Sequence, residues 1–143
     1  MLIGYFLSKP TLRLHFVGIF RVNSTRSLLT DIDAHLSFGN YSFLEEQIAP
    51  TDVANMLKNV IKNLKTPLFP YRQYFQIGRL IDVEEDELPK RMKDIVKSVY
   101  LEDRQAYNTL KLCFDFFQLI VKNVEYNKMT AYNLSVTISP YLF

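Results

Sequence analysis

An all-α fold, built as a single-domain helical bundle, is what this sequence predicts. Two observations carry the prediction. Apolar residues recur strongly at helical spacing in four places, while period-2 alternation is weak along the chain. The chain has 143 residues, 48% of them hydrophobic, with only four Gly and six Pro. That is enough for one core of ordinary density, and it excludes disordered, collagen-like and linker-like classes. Residues 1–143 are read as one domain, with no internal repeat and no low-complexity tract.

The elements follow in order. The opening MLIGYFL lacks a preceding basic residue and a small-residue cleavage site, so it reads as folded chain and not as a signal peptide. A first helix is expected over Thr25–Leu36, where Leu28, Leu29, Ile32 and Leu36 share a face. Ser24 or Asn23 suits its N-cap and Gly39 its stop. A second helix is expected over Thr51–Asn63, started by Pro50 or Thr51 and ended by Pro67 and Pro70. Val53, Leu57, Val60, Ile61 and Leu64 fall within about 100° on its wheel. Lys58, Lys62 and Lys65 form a second stripe about 120° away, whose plainest reading is a solvated face. A third helix is expected over Leu88–Tyr100, opened by Pro89. A fourth, over Ala106–Val124, is apolar over most of its circumference, broken only by Lys111, Asp115, Gln118 and Lys122. Such a helix belongs at the centre of a bundle. The last runs from about Met129 to Ile138, with Pro140 as its stop.

Composition excludes several chemistries. The single Cys113 rules out a disulfide framework or cysteine-rich zinc site, and on an apolar helix it reads as an inert core thiol. His15 and His35 have no Ser, Cys or paired acid at a telling spacing, so no nucleophilic triad and no metal site is proposed. No Gly-rich phosphate cradle is present, so the chain is not expected to hold a nucleotide itself. No apolar run nears the ~20 residues that span a bilayer. Triplets of the N-x-S/T type begin at Asn23, Asn40 and Asn133, but nothing else points to secretion, and a cytoplasmic setting is expected. Five of the fifteen acidic residues crowd into Asp82–Glu87, a stretch that reads as solvated loop. The remainder carries seventeen basic against ten acidic side chains, which favours an acidic or phosphate-bearing partner.

One local feature stands out. Val17-Gly18-Ile19-Phe20-Arg21-Val22 sets an arginine among bulky apolar residues and a glycine. Either the arginine snorkels from an amphipathic segment, or its guanidinium rides a loop pinned by buried neighbours and is offered to an oxyanion. Composition leaves both open.

Gly18-Ile19-Phe20-Arg21-Val22 resembles the arginine-finger signature of the Rho GTPase-activating (RhoGAP) domain family. Val53 to Leu64 resembles the family's VAxxLKxFLRxLPEPL helix, with Pro67-Leu68 at its end. Asn127 to Leu134 matches NKMTxxNL at every fixed position, and Ser139-Pro140-Tyr141-Leu142 is a degenerate GPNL. Together these cover roughly residues 12–143 in the family's order. The resemblance implies an activator of GTP-loaded Rho, Rac or Cdc42-type small GTPases, working in trans, with magnesium and GTP carried by the partner and no cofactor of its own. It implies Arg21 as the finger beside the γ-phosphate. It implies Lys58 as support for the finger loop and contact to the GTPase, with Asn133 as a further contact. Lys62, on the same face, stands where the family usually has arginine. Lys65-Thr66 replace its Pro-Glu, Val17 its glutamate, and Ser139 and Tyr141 the residues flanking Pro140. The implied copy is divergent, shortened at both ends and open to being a piece of a longer protein. A GTPase-binding module with weak or no activation is the alternative reading, and a scaffold for anionic lipid or nucleic acid the third. No nucleic acid is expected as partner. A monomer is expected, with a dimer left open, and any membrane association would come through the partner GTPase.

Overall fold

The computed structural model describes residues 2–44 and 48–143, without side chains for 26–29, 32, 33 and 43. Among the described residues there are nine α-helices and no strand. They are α1 (Leu2–Ser8), α2 (Pro10–Arg13), α3 (Arg26–Ser37), α4 (Pro50–Lys62), α5 (Tyr71–Gly78), α6 (Leu88–Glu102), α7 (Arg104–Lys122), α8 (Val124–Asn127) and α9 (Ala131–Leu142). The all-α bundle is the observed fold. Helix α4 packs on α1, α3 and α9, while α7 packs on α6 and α9.

The core is aromatic. Phe6 of α1 and Phe116 of α7 have ring centroids 5.0 Å apart, and Phe20, from the loop before α3, closes edge-on to Phe116 and Phe117. Pairs in this geometry add about 0.5–1.5 kcal/mol beyond the area they bury. A loop residue thus shares the packing of two helices, which fixes that loop to the centre of the fold. The N-terminal segment is helical, and Tyr5 Oη on α1 donates to the Ile48 carbonyl at 2.8 Å.

Several boundaries differ from the sequence reading, each for a physical reason. Helix α7 begins at Arg104 because the Asp103 carboxylate accepts from the Gln105 and Ala106 amides. Helix α3 has Thr25 as N-cap residue, and Ser24, expected to cap it, sends its hydroxyl to Asp52 Oδ1 at 2.5 Å. Gly39, with φ +67°, follows α3 as expected. Pro140 does not stop α9, which runs on to Leu142. Its missing N–H would have served the Val136 carbonyl, whose residue is exposed to solvent, so little is lost there, while Ile138 and Leu142 are buried and hold the last turn. Thr130 caps α9, its Oγ1 accepting from the Asn133 amide.

Helix α5 went unseen in the sequence because its buried residue is polar. Gln73 is fully buried and donates to Ser98 Oγ and Glu102 Oε2 of α6, while Tyr71 and Phe75 face solvent. The placing of α7 at the bundle's centre is only partly met. Its Leu110, Cys113, Phe116, Phe117 and Ile120 are buried, but Leu112 and Phe114 are exposed. An open groove of about 450 Å³, floored by Phe117, Val121, Leu134 and Ile138, runs between α7 and α9.

Candidate functional site

The loop that carries Arg21 is a tight turn. The Gly18 carbonyl accepts from the amides of Arg21 (2.8 Å) and Val22 (3.0 Å). Two residues in it have left-handed backbone, Gly18 (φ +73°) and Phe20 (φ +69°). For phenylalanine that conformation costs about 1–2 kcal/mol. It persists because Ile19 and Phe20 are both fully buried. With Phe20 turned inward and its backbone reversed, the next side chain is thrown outward, and Arg21 is exposed. Of the bulky neighbours, Ile19 and Phe20 pin the loop, whereas Val17 and Val22 are exposed.

Gly18 is required twice over. A β-carbon there would stand 3.1 Å from Val22 Cγ2 and 3.7 Å from Nε and Nη2 of Arg21, on a backbone that side chains disfavour. Gly18→Ala is expected to lower stability by about 1–2 kcal/mol, read as a drop in chemical-denaturation midpoint with unchanged m-value. It should also displace the Arg21 side chain.

Helix α4 holds the loop from below. Lys58 is 3% exposed, and its ammonium donates to the Phe20 carbonyl at 2.9 Å. The ring of Tyr141 on α9 lies 5.5 Å from the same nitrogen, within cation–π range. Burial pushes the Lys58 pKa down. The solvated-stripe reading is therefore corrected for Lys58: a left-handed carbonyl inside the fold supplies the partner that lets the ammonium be buried. Lys62, one turn on, is exposed, and Lys65 is exposed beyond the end of α4. The expected apolar face of α4 is likewise narrower, since Val60 and Leu64 are exposed while Val53, Leu57 and Ile61 are buried.

Two asparagines absent from the sequence-level candidates also hold the loop. Asn55 of α4 is 6% exposed and donates to the Val22 carbonyl at 2.7 Å. Asn127, fully buried, accepts the Gly18 amide on its main-chain oxygen at 2.9 Å. Its side chain donates to the carbonyls of Leu14 and Ile120 and accepts from the Met129 amide. Three polar contacts on one buried side chain fasten the start of the loop to α7 and to the turn into α9. Asn133 stands in the first turn of α9, just past that turn, and is half-buried. Its side-chain amide makes no hydrogen bond with the described residues, and the loop backbone is held instead by Asn127 and Asn55.

The loop offers one exposed guanidinium, while Lys62 on α4 is an exposed ammonium and Asn133 on α9 a half-buried amide with no hydrogen bond to the described residues. Cys113 is buried and burial pushes its thiol up to about 11, leaving it unreactive. His15 stacks on Tyr126 at 3.9 Å and meets Asn123 Oδ1. Among the described residues no cluster of His, Cys, Asp or Glu could hold a metal ion, and no helix is long and apolar enough to cross a membrane. The acidic stretch at 82–87 is exposed but for a half-buried Val83. What such a site can do is offer a fixed positive charge and bidentate donor to an oxyanion brought by another molecule.

Comparison with known proteins places the site in a family. The RhoGAP domain profile matches residues 6–143, and the chain belongs to the RhoGAP domain family. Among curated relatives, Rho GTPase-activating protein 40 of Mus musculus is 26% identical over 128 residues, covering 88% of this chain and 19% of that protein. Rho GTPase-activating protein gacY of Dictyostelium discoideum is 26% identical over 125 residues, 87% of this chain and 17% of that protein. The chain thus spans about a fifth of the length of these relatives. Among solved structures, human Rho GTPase activating protein 15 superposes with a TM-score of 0.77 at 21% identity, over 99% of this chain and 66% of that one. The BH domain from GRAF, the GTPase regulator associated with focal adhesion kinase, gives 0.76 at 19% identity, over 99% and 77%.

Proposed function

We propose that this domain accelerates GTP hydrolysis by a Rho-family small GTPase, of Rho, Rac or Cdc42 type, by presenting Arg21 in trans to the γ-phosphate. The observation that carries the reading is the exposed Arg21 between two anchored peptide units, in a chain of the RhoGAP family. Negative charge develops on the transferring phosphoryl oxygens, and a pre-positioned guanidinium stabilises it without reorganising at the moment of reaction. The partner supplies GTP, magnesium and the water-positioning residue; this chain supplies charge and geometry. Lys62 and Asn133 are assigned to partner contact, and Lys58, being buried, to holding the loop. The partner is bound in its GTP form by a monomer of this domain, in the cytoplasm, with membrane association only through the GTPase.

The test is single-turnover GTP hydrolysis with Rho, Rac, Cdc42 and Ras proteins, at saturating amounts of this domain. Acceleration of at least one Rho-type member and not of Ras supports the reading. Binding to the GTP form without acceleration would favour a silent GTPase-binding module. The half-buried Tyr141 on Lys58 and the lysine at position 62 are what favour that second reading.

A further inference from the structure

We infer that Asn55 is a positioning residue for Arg21, setting the posture of the guanidinium by fixing the carbonyl of the residue that follows it. This rests on the activating reading above and deepens it. Arg21 lies between two carbonyls, Phe20 O before it and Val22 O after it. Each is held by one side chain of α4: Lys58 takes the first at 2.9 Å and Asn55 the second at 2.7 Å. The two side chains are three residues apart, so they rise from one face of a single rigid helix. A chain gripped at both neighbours of one residue loses most of the torsional freedom that would let that residue swing.

The orientation of the Asn55 amide is dictated by its surroundings. Its nitrogen meets three oxygens, Val22 O (2.7 Å), Thr51 O (2.8 Å) and Ser24 Oγ (3.0 Å). Two of these are carbonyls that only accept, so the NH₂ group and not the oxygen must face them. The third, Ser24 Oγ, passes its own proton to Asp52 Oδ1. A continuous run from Val22 through Asn55 and Ser24 to Asp52 thus fastens the outgoing limb of the loop to the first two turns of α4. Lys58 alone fixes only the incoming side. Without Asn55 the Val22 carbonyl loses this partner, residue 22 keeps only its amide bond to the Gly18 carbonyl, and the turn can open about Arg21.

The test uses Asn55→Ala and Asn55→Ser. Serine keeps a hydroxyl able to bond the Thr51 carbonyl four residues back but cannot reach Val22, so it separates the loop contact from the helix's internal one. Two readouts are taken on the whole domain. The first is kcat at saturation against affinity for the GTPase loaded with a non-hydrolysable GTP analogue. The second is hydrogen exchange at the Arg21 and Val22 amides, against that of α7. Both variants are expected to lose about tenfold in kcat, the size of one lost hydrogen bond to the loop, with affinity within about twofold. The two loop amides should exchange roughly tenfold faster while α7 is unchanged. Unchanged loop exchange overturns the proposal. So does a kcat equal to the unmodified protein's, or a parallel loss of affinity and α7 protection, which would mark general destabilisation. If the unmodified domain activates no GTPase, the functional reading fails, and the exchange readout still decides whether Asn55 holds the loop.

Discussion

Arg21→Ala is expected to lower the maximal rate of GTP hydrolysis on the responsive GTPase by about 10³–10⁵-fold. The fold should be untouched, because the side chain is exposed and contributes nothing to the core. Affinity for the GTP form should fall far less than the rate, since the guanidinium acts on charge that exists only in the transition state. Arg21→Lys is expected to recover little. An ammonium restores the charge but not the planar two-pronged donor set. Single-turnover rates at saturation, alongside equilibrium binding, separate the two effects.

Lys58→Met carries the second large effect. Methionine fills the same volume but leaves the Phe20 carbonyl without a partner. A hydrogen bond from a charged donor contributes about 1.5–3 kcal/mol, and if the left-handed turn at Phe20 depends on it, kcat should fall about 10- to 100-fold. Stability need not fall in step, because the methionine also relieves the desolvation of a buried ammonium. The pH dependence distinguishes these contributions. Burial lowers the Lys58 pKa from its ordinary 10.5. Between the lowered folded value and 10.5 the unfolded chain binds more protons than the folded one, so stability rises with pH across that window. The protein should therefore gain stability relative to Lys58→Met as pH climbs towards 10.5, and the gain should be absent below the lowered pKa. Paired denaturation curves at neutral and alkaline pH measure it.

The face expected of α3 (Leu28, Leu29, Ile32) lies outside the described side chains. Helices α4, α6, α7 and α9 were legible from apolar spacing because each buries a face of Leu, Ile, Val or Phe. Helix α5 was not, since it turns its aromatic residues to water and buries Gln73, reversing the signal that periodicity relies on. Pro140 misled in the same way: its cost as a helix breaker is local, and burial of Leu142 outweighs it near a helix end. At the site, the sequence singled out Arg21 through its apolar neighbours and the family resemblance. It could not show that Lys58 is interior. On a helical wheel an isolated lysine beside Lys62 reads as solvated, and only a carbonyl 38 residues away in sequence makes its burial tolerable. Asn55 was hidden more deeply, at a position the family pattern leaves unspecified, and its partners Val22 and Ser24 belong to a loop that propensity does not place. Asn127 had a signal, its fixed position in NKMTxxNL, without a chemistry to attach to it. Backbone-holding side chains are recognised by what they reach, and reach is a property of the fold.

The most direct test is whether this domain prefers the transition state to the ground state through Arg21. The measurement is its affinity for the responsive GTPase in two forms, one loaded with a non-hydrolysable GTP analogue and one with GDP and aluminium fluoride, which mimics the transferring phosphoryl group. The unmodified domain should bind the second form at least about 100-fold more tightly, and Arg21→Ala should bind both forms alike. Equal affinity for the two forms in the unmodified domain, or a preference that survives Arg21→Ala, would contradict the finger mechanism.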